Sequence, residues 1–405
     1  MSFRIALSGL NAASSDLSVT ANNIANTATT GFKSSRAEFS ELFAVSPQGV
    51  SSTAAGSGVR VADISQQFTQ GNVDFTNNNL DLAVSGDGFF VLSDGGALSY
   101  TRAGAFKTDA NGYVVNNEGQ RLQVFPPTAA GAFNTGALSD LKIQTSQSSP
   151  QATSNASINL NLPSSAAPPT NPTFNPADTS SFTNATSLTI YDSLGAAHTA
   201  TMYFSKTATA NQWTTRLYID GNAVGAAQAL DYSAAGVLTT PAGGSLSFSG
   251  YTPATGANPM SLSLDVSGTT QYGSAFSVNS VTQDGFTTGR LIGVDIDTSG
   301  VAQARFTNGR SVALGQVALA NFANSQGLQQ LDNTNWAETF ASGQPLKGQA
   351  GTSGYGVIQS GALESSNVDI TAQLVNMITA QRNFQANAQM ISTEDSITQT
   401  IINIR

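Results

Sequence analysis

The chain has no cysteine among its 405 residues. That removes disulfide frameworks, thiolate metal sites and cysteine nucleophiles together, so stability has to come from packing or from assembly. It also has one histidine, His198, which leaves no histidine pair to share a metal and one ring on which a serine triad would have to be built. The setting of that residue, GAAHTATMYF, reads as a solvent-facing turn within a hairpin. Charge is scarce: Lys, Arg, Asp and Glu make up 10% of the chain and sum to a net −9, a poor composition for binding nucleic acid. Ala, Ser, Thr, Asn and Gly stand where Lys and Glu fill an ordinary surface, which suits surfaces that touch neighbours. No run of about 18 apolar residues occurs, so membrane insertion by a helix is not expected. The start, MSFRIALSGLNAA, lacks the basic, apolar and cleavage regions of a secretory signal.

Motifs for catalysis and cofactors are missing too. GSGVR and SGDGFF have neither the spacing nor the strand-to-helix context of a phosphate-binding loop, and no GxSxG elbow is present. DIDTSG, from Asp295 to Gly300, starts like a calcium loop but has Phe306 at the twelfth position, where a bidentate Glu is needed. A β-turn fits it better. No catalytic residue, metal or cofactor is therefore expected, and an enzyme is the least favoured class.

What the sequence does have is periodicity. Phe3, Leu10, Leu17 and Ile24 recur every seven residues, with Ala6 and Ala13 three beyond the first two, which is heptad spacing. The helix they predict is roughly 35 Å long and stops near Thr29-Thr30-Gly31. At the other end Ile370, Met377, Phe384 and Ile391 repeat the spacing, Leu374 and Ala388 fall between them, and Ile397, Ile401 and Ile404 carry an apolar face to Arg405. With candidate N-caps at Asn367-Val368-Asp369 and no Pro or Gly beyond, one helix of roughly 55 Å is predicted.

Between the ends the period falls to two. Gly88 to Phe125 is punctuated by Asp94-Gly95, Asn111-Gly112 and Glu118-Gly119, spaced as turns of a meander, the Asn-Gly pair being a type I′ signal. Gly289 to Phe322 has the same character. The stretch that separates them opens with a Ser-, Pro- and Asn-rich irregular loop and continues in strands such as SLTIYD, HTATMYF and WTTRLYID. The predicted fold is therefore mainly β with α-helical termini that pair as a coiled coil, and one β-rich domain inserted in another. The expected spans are 1–30 for the N-terminal helix, 31–70 for a linker, 71–143 with 282–343 for the discontinuous middle domain, 144–281 for the insert, 344–363 for a second linker and 364–405 for the C-terminal helix.

A terminal amphipathic helix most simply packs on its own domain. Here both ends carry the same thin seam and both join the β-body through polar segments. From Met1 to Phe32 the sole basic residue is Arg4, too little for a membrane-surface helix. A seam of about two apolar positions per heptad buries too little area to order an isolated helix, so the ends are expected to fold on assembly, small residues such as Ala12, Ala13, Ala21 and Ala25 allowing close approach.

The segment LSGLNAASSDLSVTANNIANTATTGFKSSRAEF, Leu7 to Phe39, resembles the N-terminal signature of the flagellar rod and hook axial proteins, with Asn22, Asn23, Ile24, Ala25 and Asn26 matching NNIAN and Thr30, Gly31, Phe32 and Lys33 matching TGFK. GALESSNVDITAQLVNMITAQRNFQANAQMI, Gly361 to Ile391, resembles the C-terminal signature, and LGQVALANFANSQGL, Leu314 to Leu328, looks like the hook branch of that family. The resemblance implies that terminal helices line a tube with β-domains stacked outward, which makes Phe3, Leu10, Leu17, Ile24, Leu374, Met377, Phe384 and Ile391 assembly residues. Asn22, Asn23 and Asn26 are assigned to the same interface, the other reading of such amides being local helix caps. It further implies a homopolymer in the extracellular flagellar hook that acts as a flexible coupling. Its partners would be a distal rod protein, a hook cap protein, a hook-filament junction protein, a hook-length control protein and the flagellar export apparatus, with export needing no cleaved signal. A distal rod subunit is the nearest rival, disfavoured by the insert, and a secreted β-rich adhesin is the rival from another class.

Overall fold

The computed structural model describes residues 2–42, 56–129, 131–143 and 146–403. Of the segments read from sequence, Met1, residues 43–55 of the first linker, residues 144–145 at the start of the insert and Ile404-Arg405 lie outside these. The chain divides into two compact units, one made of residues 1–145, 293–305 and 311–405, the other of residues 146–292 with 306–310.

The first unit opens with helix α1, Ser2–Ala25, and closes with helix α2, Ile370–Asn403. Its β-body is organised around the strand Ser311–Asn321, which pairs antiparallel with Arg121–Phe125, Phe89–Asp94 and Leu346–Gln349. Strands from before and after the insert thus share one sheet, the pairing that a nested chain requires. Phe89, Tyr100, Phe125, Phe322 and Trp336 fill the core, with Phe89 and Trp336 edge to face at 5.6 Å and Tyr100 and Phe322 at 4.8 Å. Edge-to-face rings give this core directional specificity beyond the area they bury.

The Asn111-Gly112 turn differs from the type I′ expectation. Gly112 adopts a positive φ of 84° but Asn111 does not, and the Asp109 carboxylate accepts from the amides of Asn111 and Tyr113. An aspartate placed before the turn imposes this local bonding, so the connection needs one left-handed residue instead of two.

The segments expected to be linkers carry structure. Strands β1, Ser35–Glu41, and β2, Val59–Gln66, form an antiparallel pair that lies against α1, where Ser8 Oγ accepts from the Val59 amide at 3.2 Å. A Cβ on Gly58 would fall 2.3 Å from that hydroxyl, so the close approach depends on glycine there. On the other side, Val357–Ser360 pairs with Leu82–Ser85 and Ala362–Glu364 with Val73–Phe75. Polar composition suggested a loose tether, but backbone pairing needs no apolar side chains.

The second unit is a two-sheet sandwich. Asn184–Tyr191, Ala197–Lys206, Gln212–Ile219 and Asn222–Tyr232 run as an antiparallel meander. The second sheet holds Ser245–Tyr251, Met260–Asp265, Asn155–Pro163 and Ser277–Gln283. Burial alternates residue by residue along Ala197–Lys206, as period two requires. A single core containing Met202, Phe204, Trp213, Phe248 and Leu262 joins both sheets, which makes the unit one sandwich. Its pairing runs beyond residue 281, through bridges from Gln151 to Phe286 and from Ser148 to Gly289.

Candidate functional site: the paired terminal helices

Helix α2 starts where Asp369 caps it, the carboxylate accepting from the amides of Thr371 and Ala372 at 2.8 and 3.2 Å. That satisfies two of the four orphan donors of a helix start. Helix α1 ends in a polar cluster in which Asn26 Nδ2 donates to Asn22 Oδ1 at 2.6 Å and Thr29 Oγ1 donates to Asn26 Oδ1, before Gly31 turns the chain at a φ of 70°.

The two helices pack against each other within one chain. Near one end of the pair Asn23 Nδ2 lies 3.3 Å from Gln373 Oε1; further along, a Cβ on Gly9 would come 2.4 Å from Asn387 Oδ1. Rising numbers in α1 thus meet falling numbers in α2, so the pair is antiparallel. Phe3 then shares a groove with Ala388, Ile391 and Thr398, and the last turns of α2 run past the start of α1.

The seam itself is made of small and polar residues. In α1 the buried positions are Ala6, Ala13 and Thr20, seven apart, with Ala12 and Asn23. The apolar series Phe3, Leu10, Leu17 and Ile24 flanks them, Phe3 being 48% exposed and the others half-buried. In α2 Ala380 is fully buried and Met377, Phe384 and Ile391 are half-buried, while Leu374 is 46% exposed. Gln373, Asn387 and Glu394 share the inward heptad positions with Ala380. Small residues let the helix axes approach closely and leave larger side chains at the margin. Asp16, the one carboxylate of α1, makes no hydrogen bond or ion pair among the described residues, and burial pushes its carboxyl above the usual range.

The outer flanks of α2 carry Ile370, Leu374, Val375 and Ile378 towards its start and Met390, Ile397, Ile401 and Ile402 towards its end, each between 46% and 67% exposed. α1 adds Ile5 and Leu7. The exposed apolar side chains thus run along both flanks of the seam.

Of the predicted interface residues, the structure brings Phe3 and Ile391 to one groove and sets Met377, Phe384 and Ile391 along the seam. Asn23 is taken up inside the chain: it is 1% exposed, donates to Ser35 O at 2.7 Å and accepts from Ser35 N at 2.9 Å. Asn22 and Asn26 bond to each other, the local-cap arrangement. Gly9, Gln373, Ala380 and Asn387 were not among the expected residues because apolar periodicity skips them. Listing the second heptad position of α2 (373, 380, 387, 394) would have found its members.

His198 is buried in strand Ala197–Lys206, not in a turn. Its Nδ1 lies 2.6 Å from Asp220 Oδ2 and its Nε2 3.3 Å from Asp192 Oδ2. Two carboxylate acceptors require a proton on each ring nitrogen. Burial opposes the charge, but the bonds to Asp220 and Asp192 outweigh it and raise the ring above its ordinary value.

Two self-contained β-units and a helix pair that leaves its large apolar residues uncovered define a self-associating structural protein with helical ends. The "Flagellar hook protein FlgE" of Escherichia coli (strain K12) is 39% identical over 412 residues, and that of Treponema pallidum (strain Nichols) 33% identical over 456 residues, with at least 98% of each chain covered. The chain belongs to the flagellar hook protein family. Family models agree along its length: "Flagella basal body rod protein" matches residues 3–33, "Flagellar hook protein FlgE/F/G D1 domain" 83–168, "Flagellar basal body protein FlaE D2 domain" 159–286 and "Flagellar basal body rod FlgEFG protein C-terminal" 359–404. A crystal structure of Helicobacter pylori flagellar hook protein FlgE2 shares the fold at a TM-score of 0.56 and 16% identity, covering 72% of this chain and 100% of that one.

Proposed function

We propose that copies of this chain polymerise through their helix pairs into the tube of the flagellar hook, with β-units stacked outward, and that the tube couples rotation from rod to filament while it bends. Unfolded or loosely paired ends suit passage through the flagellar export apparatus without a cleaved signal. Assembly on a distal rod protein, beneath a hook cap protein, with hook-filament junction and hook-length control proteins as further partners, belongs to the same proposal. The carrying observation is the apolar surface on both flanks of α2, above all the exposed Ile397, Ile401 and Ile402 of its last turns. The flanking residues Phe3, Leu10, Leu17, Ile24, Leu374, Met377, Phe384 and Ile391 then complete their burial against neighbouring copies. Few charges on the surface of the insert favour contacts between outer units that exchange readily.

Replacing Ile397, Ile401 and Ile402 together by Ser tests this in the full chain by pelleting and electron microscopy. The wild type should form tubes. The variant should remain soluble at a concentration at least about a thousandfold higher, three lost buried side chains at roughly 1.5 kcal/mol or more each summing to at least about 4.5 kcal/mol; tubes at the wild-type concentration would refute the assignment.

A further inference from the structure

Where the two helices meet the β-body, three charged side chains are buried together. Lys33 follows α1, Glu364 precedes α2 and Arg102 belongs to the β-body. Lys33 and Glu364 side chains are 0% exposed, and Arg102 is 5% exposed. Lys33 Nζ donates to Glu364 Oε1 at 2.6 Å and to Thr69 O at 2.8 Å. Glu364 Oε1 also accepts from the Gly71 amide at 2.8 Å. Its other oxygen faces Arg102 Nη1 at 3.3 Å, while Arg102 Nη2 holds Gly86 O at 2.9 Å. The Glu364 backbone takes part as well, its carbonyl accepting from the Gly31 amide at 2.8 Å. One carboxylate therefore serves two cations and joins four segments of chain.

We infer that Glu364 is a positioning residue for hook assembly: it fixes the roots of both terminal helices to one point of the β-body, so that the helices are presented to neighbouring copies as one piece. Removing either cation leaves an ion pair, whereas removing the carboxylate leaves two buried cations with no bonded counter-ion, Asp87 acting on Arg102 only through space, the costliest way to break a buried cluster. Burial already disfavours the charge on Lys33, which increases the dependence on Glu364. Asn367 extends the joint, accepting from the Ser34 amide at 2.8 Å and donating to Gln67 O at 2.7 Å. This inference rests on the proposed assembly through the helices, but the joint can be tested in the monomer.

The experiment compares hydrogen exchange in the full-length soluble wild type, E364Q, K33M and the double variant K33M/E364Q, with pelleting of each. In E364Q, amides of residues 31–34, 69–75 and 361–367, and of both helices, should exchange about a hundredfold faster. The insert, residues 155–283, should keep its rates, and the pelleted fraction should fall. K33M should accelerate exchange about tenfold or less. The double variant should lie between K33M and E364Q, because it has one uncompensated cation fewer; a purely steric role gives no such rescue. Equal effects of E364Q and K33M, loss confined to one helix, or loss that includes the insert would each overturn the inference. If the wild type itself forms no tubes, the assembly reading fails, while the monomer exchange still decides the joint.

Discussion

The inserted sandwich and the terminal helix pair solve the same problem in opposite ways. In the sandwich, alternate residues of two sheets meet in one core, so Phe204 and Trp213 are fully covered by the chain's own atoms. In the helix pair, the shared seam holds Ala6, Ala13, Ala380 and polar side chains, and the large apolar residues stay outside. A unit with a closed core is complete as a monomer. A pair that buries alanine and exposes isoleucine has placed its hydrophobic surface where other copies can reach it.

The largest effect that sharpens this contrast is expected in the sandwich. Trp213 is fully buried and its Nε1 donates to Gln271 Oε1 at 3.1 Å, so Trp213→Ala should cost about 3–5 kcal/mol. Thermal unfolding should show that loss in the insert alone, and exchange rates in α1 and α2 should not change. A smaller effect is expected at the seam, where Gly9→Val pushes a branched side chain into Asn387 and should weaken the helix pair by about 1–3 kcal/mol. Adding Asn387→Ala should recover most of that loss as read by helical circular dichroism, since it removes the obstructing atoms.

The smallest effect, and the one that depends on pH, belongs to His198. Its folded pKa is raised above 6.5, so its contribution is complete below about that pH and disappears as pH rises through the folded value. Asp192 is shifted the other way: burial would raise it, but bonds from Thr255, Ala196, His198 and Leu194 lower it to about 2. Its contribution is present above 3.8 and lost as pH falls towards that lower value. The insert should therefore be most stable in mildly acidic solution and weaken by about 1 kcal/mol on the alkaline side. His198→Gln should flatten the alkaline limb in a series of melting curves; an unchanged limb would assign it to other groups.

Much of this contrast could be seen in the sequence. Heptad spacing marked both helices, and alternating strands with glycine turns marked both β-units, because those patterns follow from the geometry of each element. The pair β1 and β2 was hidden, since these strands are held by backbone pairing and by Ser8 and Asn23, which carry no periodic signal. Burial of His198 was hidden for a related reason: Asp192 and Asp220 reach it from the turns that end the two neighbouring strands and Tyr251 from the other sheet, and no spacing pattern links these residues in the sequence. At the seam, the apolar repeat located the correct helices but favoured the flanks over the small and amide-bearing residues between them.

The account depends most on the helix pair being incomplete in one copy and completed by others. Hydrogen exchange of α2 residues 395–403, measured in the soluble chain and again in the assembled tube, tests that directly. Fast exchange in the monomer and strong protection in the tube, with the insert unchanged, is the expected result. Equal protection of this segment in both states would contradict the account.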